Sequence, residues 1–148
     1  MSAAETIALR DFLRQDPRLE GVTFVASTED AAGESPQELV PPPYALVFAG
    51  GGPDNQERLT GPHTAREPSW TIHCVGASAL AAEIVSDWVD DVLRPRGRGV
   101  ILSVPGRQTG RLRRTDVGPV LDDDSTAPVV WYVPVTYRFK SSPASETT

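Results

Sequence analysis

The sequence of 148 residues predicts a single α+β domain. Three observations predict it. Two stretches carry apolar side chains at the three- and four-residue spacing of an amphipathic helix. Several short runs between them are either continuously apolar or alternate with a period of two, as strands do. Segments rich in glycine and proline separate these runs. The length suits one domain and is enough to bury a single core.

Each element follows from local chemistry. Ser2-Ala3-Ala4-Glu5 reads as a capping box, with Ser2 accepting from a free amide and Glu5 reaching back. Ile7, Leu9, Phe12 and Leu13 form an apolar stripe, and Asp16-Pro17 ends the helix because the residue before proline is pushed out of the α region. The first helix is therefore expected over residues 3 to 15. Residues 21 to 25 have strand composition. Residues 26 to 43 contain four prolines with Ser, Glu, Asp and Gly, and read as an exposed loop. Residues 44 to 48 are an apolar run suited to a central strand. A second loop is expected over residues 49 to 66.

Residues 69 to 75 alternate. Trp70, Ile72 and Cys74 share one face, and Thr71 and His73 the other. Gly76 breaks the strand and Ser78 caps the next helix. That helix, expected over residues 79 to 93, sets Leu80, Ala81, Ile84, Val85, Trp88 and Val92 on an apolar face. Glu83, Asp87, Asp90 and Asp91 lie on its wet side, and Arg94-Pro95 stops it. Residues 100 to 104 read as a short buried strand and residues 111 to 117 as a more polar one. Asp122-Asp123-Asp124-Ser125 reads as a turn. The last strand puts Val129, Trp131, Val133, Val135, Tyr137 and Phe139 on one face. Pro134 cannot donate to a ladder, so this strand is expected at a sheet edge or with a bulge. Residues 141 to 148 read as a disordered tail after a domain of residues 1 to 140. The expected order is α-β-β-β-α-β-(β)-β.

Composition excludes several function classes. No apolar run approaches the roughly 20 residues needed to span a bilayer. The N-terminus lacks the basic and apolar regions of a secretory signal. A single cysteine, Cys74, excludes an intramolecular disulfide and fits folding in a reducing cytoplasm. The net charge is −6, yet residues 94 to 114 carry seven arginines (Arg94, Arg96, Arg98, Arg107, Arg111, Arg113 and Arg114) and no acid. The rest of the chain therefore carries −13, the total of −6 less the +7 of this stretch. A uniformly basic nucleic-acid binder is excluded, whereas a local basic surface is not.

The possible chemical motifs each have a plainer reading. Gly50-Gly51-Gly52 is followed by Pro53-Asp54-Asn55 and lacks the Gly-Lys-Ser/Thr of a phosphate loop. It reads as a flexible loop. His63 and His73 have no cysteine or carboxylate cluster at metal-ligand spacing. Cys74 shares a face with Ile72 and reads as a core residue. Asp122-Asp123-Asp124 lacks the spaced ligands of a calcium loop. No catalytic, metal or cofactor residue is assigned. The seven arginines are kept as a candidate interface, for an acidic partner or close to passing DNA, against the plainer reading of a solvated hairpin.

The chain resembles the tail-terminator (tail-completion) proteins of long-tailed actinobacterial phages. The likeness rests on the N-terminal helix running into Asp16-Pro17-Arg18-Leu19-Glu20-Gly21-Val22, and on Pro42-Pro43-Tyr44-Ala45-Leu46-Val47 before a Gly/Pro loop. It rests also on the junction Thr71-Ile72-His73-Cys74-Val75-Gly76-Ala77-Ser78 and on the valine- and aromatic-rich closing strand. It covers about residues 5 to 140. The resemblance implies a mixed, mostly antiparallel sheet flanked by two helices, with six copies closing a ring. The ring caps the tail tube and meets the neck, and DNA passes through without sequence-specific binding. It implies no cofactor, no catalytic residue and no membrane partner. The partners are other copies of the chain, the tube protein and a neck protein, in a virion assembled in the host cytoplasm. The alternatives are a head-completion or neck connector protein, and a small ligand-binding or enzymatic domain.

Overall fold

The computed structural model describes residues 3–26, 41–49, 66–124 and 128–143. Ser2, the triple glycine, His63, Ser125 and most of both expected loops lie outside the described residues.

The chain forms α1 (Ala3–Leu13), β1 (Thr23–Val25), β2 (Tyr44–Ala49), β3 (Ser69–Gly76), α2 (Ala79–Leu93), β4 (Arg107–Thr109), β5 (Arg113–Val117), β6 (Leu121–Asp123), β7 (Val130–Arg138) and β8 (Ser141–Pro143). The main sheet runs β1-β2-β3-β7-β5, with β6 also on β7. Only β1 and β2 pair in parallel; the other ladders are antiparallel. Strands β4 and β8 form a second, two-stranded sheet. The class is α+β, with a mixed, mostly antiparallel sheet and two helices.

Period-two alternation divides the sheet into two faces. Ala45, Val47, Trp70, Ile72, Cys74, Val133, Val135 and Tyr137 face the helices and join Leu9, Leu13, Ala82, Val85, Val89 and Leu93 in one core. Trp70 stacks on Phe139 at 5.1 Å, and its indole N–H donates to Thr6 Oγ1 at 3.0 Å. Buried indoles need such an acceptor, and this need turns Thr6 inward. The opposite face carries Tyr44, Leu46, Val75 and Val130, with Phe24, Phe48 and Tyr132 packed around them.

Both helices occur where the sequence puts them, but each is rotated. In α1 the buried residues are Glu5, Thr6, Leu9 and Leu13, while Ile7 is 46% exposed. Glu5, expected to reach back to the helix start, points into the core instead, where it accepts from Ser141 Oγ. In α2 the buried residues are Ala82, Val85, Val89 and Leu93. The stripe expected from side-chain size is displaced by about one residue, roughly 100° around the helix: Leu80 is 67% and Ile84 42% exposed. The cause is the close approach at Gly76. A Cβ there would lie 2.4 Å from the Ala82 backbone nitrogen, so the smallest side of the helix sits on the strand. Trp88 packs at the margin of the core, under the Arg18 guanidinium 5.8 Å from its ring.

Four other expectations are corrected. Residues 100 to 104 bury Leu102 and Val104, yet make only one bridge, Ile101 to Arg111. The Val100 amide turns to Leu93 O at 2.9 Å and the Leu102 carbonyl accepts from Thr109 Oγ1 at 2.6 Å, so no ladder forms. Residues 121 to 123 are strand β6, not part of a turn. Strand β7 is not at an edge, because β3 flanks it on one side and β5 with β6 on the other. The Pro134 carbonyl accepts from the Gly118 amide, and in an antiparallel ladder a residue's nitrogen points to the same side as its carbonyl. The missing donor thus falls where β5 has ended and β6 has not begun. The partner strand does carry an irregularity nearby, between Arg114 and Asp116. Finally, Ser141–Pro143 is strand rather than tail, with Ser141 bonded both ways to Arg66 at 2.8 Å; residues 144 to 148 lie outside the described residues.

Candidate functional site

The C-terminal end of α2 builds a basic groove. Arg94 caps the helix, its amide donating to Asp90 O. Pro95–Gly97 then forms a tight turn in which Arg96 (φ 60°) and Gly97 (φ 78°) are left-handed. The turn lays residues 98 to 101 against residues 111 and 112. Leu112 N donates to Val100 O at 2.9 Å, and Arg111 Nη1 to Gly99 O at 2.9 Å. The approach is close enough that a Cβ on Gly99 would lie 1.8 Å from Leu112 O. On the other side Gly110 N donates to Lys140 O at 2.8 Å, which brings in the residue after β7.

The groove has a volume of about 600 Å³ and is lined by Arg94, Arg98, Arg111, Arg113, Arg114 and Lys140, with Gly97, Gly99, Gly110 and Leu112 at its floor and rim. Two carboxylates offset these six cations. Asp90 lies 3.1 Å from Arg94 and 3.4 Å from Arg114, and Glu67 pairs with Arg113. Among the described residues, no carboxylate pairs with Arg98, Arg111 or Lys140. The groove therefore keeps an excess of positive charge, which draws an anion toward it.

Five of the seven sequence-selected arginines thus meet around one groove. Arg96 is exposed on the turn beside it, outside the lining. Arg107 is elsewhere and serves the fold: Nε donates to Ser141 Oγ at 2.9 Å and Nη2 to Ser141 O at 3.0 Å, 3.8 Å from the buried Glu5. Burial and the nearby Arg66 cation hold the Arg107 pKa below its usual value, against the pull of Glu5. Lys140 escaped the sequence reading because only the long-range pairing of residue 110 with residue 140 places it here.

A smaller cavity of about 230 Å³ lies on the opposite face of the sheet, among Tyr44, Leu46, Phe48, His73, Val75, Asp123, Val130 and Tyr132. His73 sits between Phe48 and Tyr132, each 4.6 Å away. Burial lowers its pKa, favouring the neutral ring. Tyr44 is pushed up to about 12 by burial and by Asp123. Cys74, next to His73 in sequence, points through the sheet to the other face, so the two cannot act as a thiol–imidazole pair. Burial raises the Cys74 pKa far above its ordinary value and suppresses the thiolate. Among the described residues, no three His, Cys, Asp or Glu side chains are grouped to hold a metal ion.

No protein-family model matches the chain, and no curated protein matches it in sequence. The fold is similar to that of a chain in a solved structure of the virion of a native gene transfer agent (GTA) particle. That likeness covers 96% of this chain and 99% of the other, with a TM-score of 0.65 and 15% identity. A second solved structure overlaps 97% of this chain and 94% of its own, with a TM-score of 0.55 and 15% identity. At this identity the likeness establishes the fold.

Proposed function

We propose that this chain is a structural protein of a phage-like virion. In this reading it closes as a homo-oligomeric ring, a hexamer, on the end of the tail tube and joins the tube to the neck, with DNA passing through the ring. The observation that carries the reading is the near-complete overlap with a chain of the gene transfer agent virion. The resemblance of the strand-to-helix junction at residues 71 to 78 to tail terminators gives the finer assignment. A scaffolding role also suits the chemistry of the two side chains that looked reactive in sequence. Cys74 is held as a buried thiol and His73 as a neutral ring between aromatics.

The test is assembly on isolated virion parts. Purified protein is mixed with tail tubes and, separately, with DNA-filled heads, and bound particles are imaged by electron microscopy. A ring at one end of the tube, with tubes then able to join heads, is the expected result. Binding to heads but not to tubes would reassign the chain to the neck. Binding to neither, with a monomeric mass throughout, would overturn the structural reading.

A further inference from the structure

Two surfaces of opposite sign stand on this chain, and neither is fully neutralised by ion pairs among the described residues. One is the basic groove. The other is the outer face of α2, where the exposed residues Leu80, Glu83, Ile84, Asp87 and Asp91 fall on one helical stripe. Leu80 and Ile84 remain uncovered because Gly76 fixes the opposite side of the helix on the sheet. Asp91 stands in the last turn, where the backbone dipole disfavours negative charge, and α2 has no basic residue in that turn. Asp90 is offset by Arg94 and Arg114, and among the described residues Asp91 has only Arg18 at 3.7 Å. Glu83 and Asp87 have no ion-pair partner among the described residues.

We propose that the basic groove of one copy receives the outer face of α2 from a second copy. The inference rests on the ring reading above and names the surfaces that make the ring. The complement is chemical on both counts. Carboxylates of α2 meet the uncompensated Arg98, Arg111 and Lys140. Leu80 and Ile84 meet Ile101, which is 54% exposed beside Arg111, together with the aliphatic stems of the arginines. Because the two surfaces differ, the contact is head to tail and leaves the pair one free groove on one copy and one free helix on the other, so it repeats until a ring closes. The net charge of −6 favours this partner over nucleic acid. A polyanion would be attracted by the groove but repelled by most of the remaining surface.

The test uses the full chain as wild type and as two reversal variants, Arg98→Glu/Lys140→Glu and Glu83→Lys/Asp87→Lys. All four positions are exposed and lack ion-pair partners among the described residues, so both variants keep the wild-type melting transition. Native mass and sedimentation, at low and high salt and with tail tubes, read the assembly. Each variant alone is expected to weaken the subunit contact by about tenfold or more. An equimolar mixture restores it, because the acidic helix of the first variant meets the unaltered basic groove of the second, and the lysines on the helix of the second meet the two introduced glutamates of the first, whose groove the double reversal makes neutral overall (six cations less two carboxylates, less four). Wild-type rings with unimpaired variants, or impaired variants without rescue on mixing, would overturn this inference and leave the ring reading standing. Wild-type protein that forms no ring, free or on tubes, would overturn both. Variants that assemble normally but lose binding to duplex DNA would assign the groove to nucleic acid instead.

Discussion

Glu5 and Ser141 share a 2.5 Å hydrogen bond across 136 positions of sequence, fastening the first turn of α1 to strand β8. Both are buried, at 0% and 1% exposure, and the Ser141 hydroxyl also accepts from Arg107 Nε. The first and last elements thus hold each other through a polar contact inside the core.

Removing that contact is expected to be costly. Ser141→Ala strips the Glu5 carboxylate of its short donor and Arg107 Nε of its acceptor, while the Arg107 Nη2 bond to the backbone carbonyl of residue 141 stays. Leaving a buried acceptor unpaired costs about 1–3 kcal/mol, or some 2–12 °C in melting temperature at roughly 2–4 °C per kcal/mol for a domain of this size. Deleting everything from residue 141 onward should cost more, since it also removes the β4–β8 ladder. Thermal unfolding of the two variants checks both. Unchanged melting would return residues 141 to 143 to the status of a tail.

The orientation of α2 gives a paired expectation. Leu93→Ala, at a fully buried position, should lose about 2–5 kcal/mol. Leu80→Ala, at 67% exposure, should stay within about 0.5 kcal/mol. Urea denaturation distinguishes them, and the reverse ranking would restore the stripe expected from side-chain size.

That contrast shows what was legible in the sequence and what was not. The bounds of α2 were legible because Ser78 caps it, its Oγ accepting from Ala81 N at 3.1 Å, and because Arg94-Pro95 ends it. The face of the helix was not. It depends on a strand end, Gly76, passing within contact of Ala82, and small residues carry little weight in a hydrophobic stripe. The apolar face of β3 was legible, because alternation is local. The inward turn of Glu5 and Thr6 was not, because their partners Ser141 and Trp70 are distant in sequence. The site divides in the same way. The run of arginines was visible as charge, but its splitting into a groove and the internal Arg107, and the arrival of Lys140, are properties of long-range pairing.

Cys74 should react slowly with a thiol reagent in the native state and rapidly in denaturant. It is fully buried and its pKa is raised by that burial, so the reactive thiolate is scarce until the core opens. The modification rate, followed spectroscopically with and without denaturant, checks this. Equal rates would remove the β3 face from the core.

His73 should make stability fall on mild acidification. Its folded pKa is below the ordinary value because burial penalises the charged ring. The unfolded chain therefore takes up a proton near pH 6.5 that the folded chain resists. Stability from this residue is full above that pH and is lost as pH falls toward the lower folded value. Asp123 lines the same cavity, and the His73 shift is nonetheless downward. Denaturation midpoints of wild type and His73→Phe, compared between neutral and mildly acidic pH, isolate the contribution. Parallel curves would show that His73 is not the group responsible.

Asp90 links the core to the groove. It accepts from the buried Tyr137 hydroxyl at 2.9 Å and lies against both Arg94 and Arg114. Asp90→Asn keeps an acceptor for Tyr137 but withdraws the charge from between the two arginines. The pairs are partly exposed, so their loss should cost at most about 1 kcal/mol each in stability, while the groove becomes more basic by one charge. If the groove takes carboxylates of a second copy, the weakened fold should come with a tighter subunit contact at low salt, and salt should erase the gain. Tyr137→Phe is the control. It removes the hydroxyl and costs about 1.5–3 kcal/mol for a hydrogen bond to a charged group, but leaves the groove's charge alone and should not tighten assembly. Measuring unfolding and sedimentation on both variants separates the two roles. Looser assembly in Asp90→Asn would mean that Asp90 orients Arg94 and Arg114 rather than merely neutralising them.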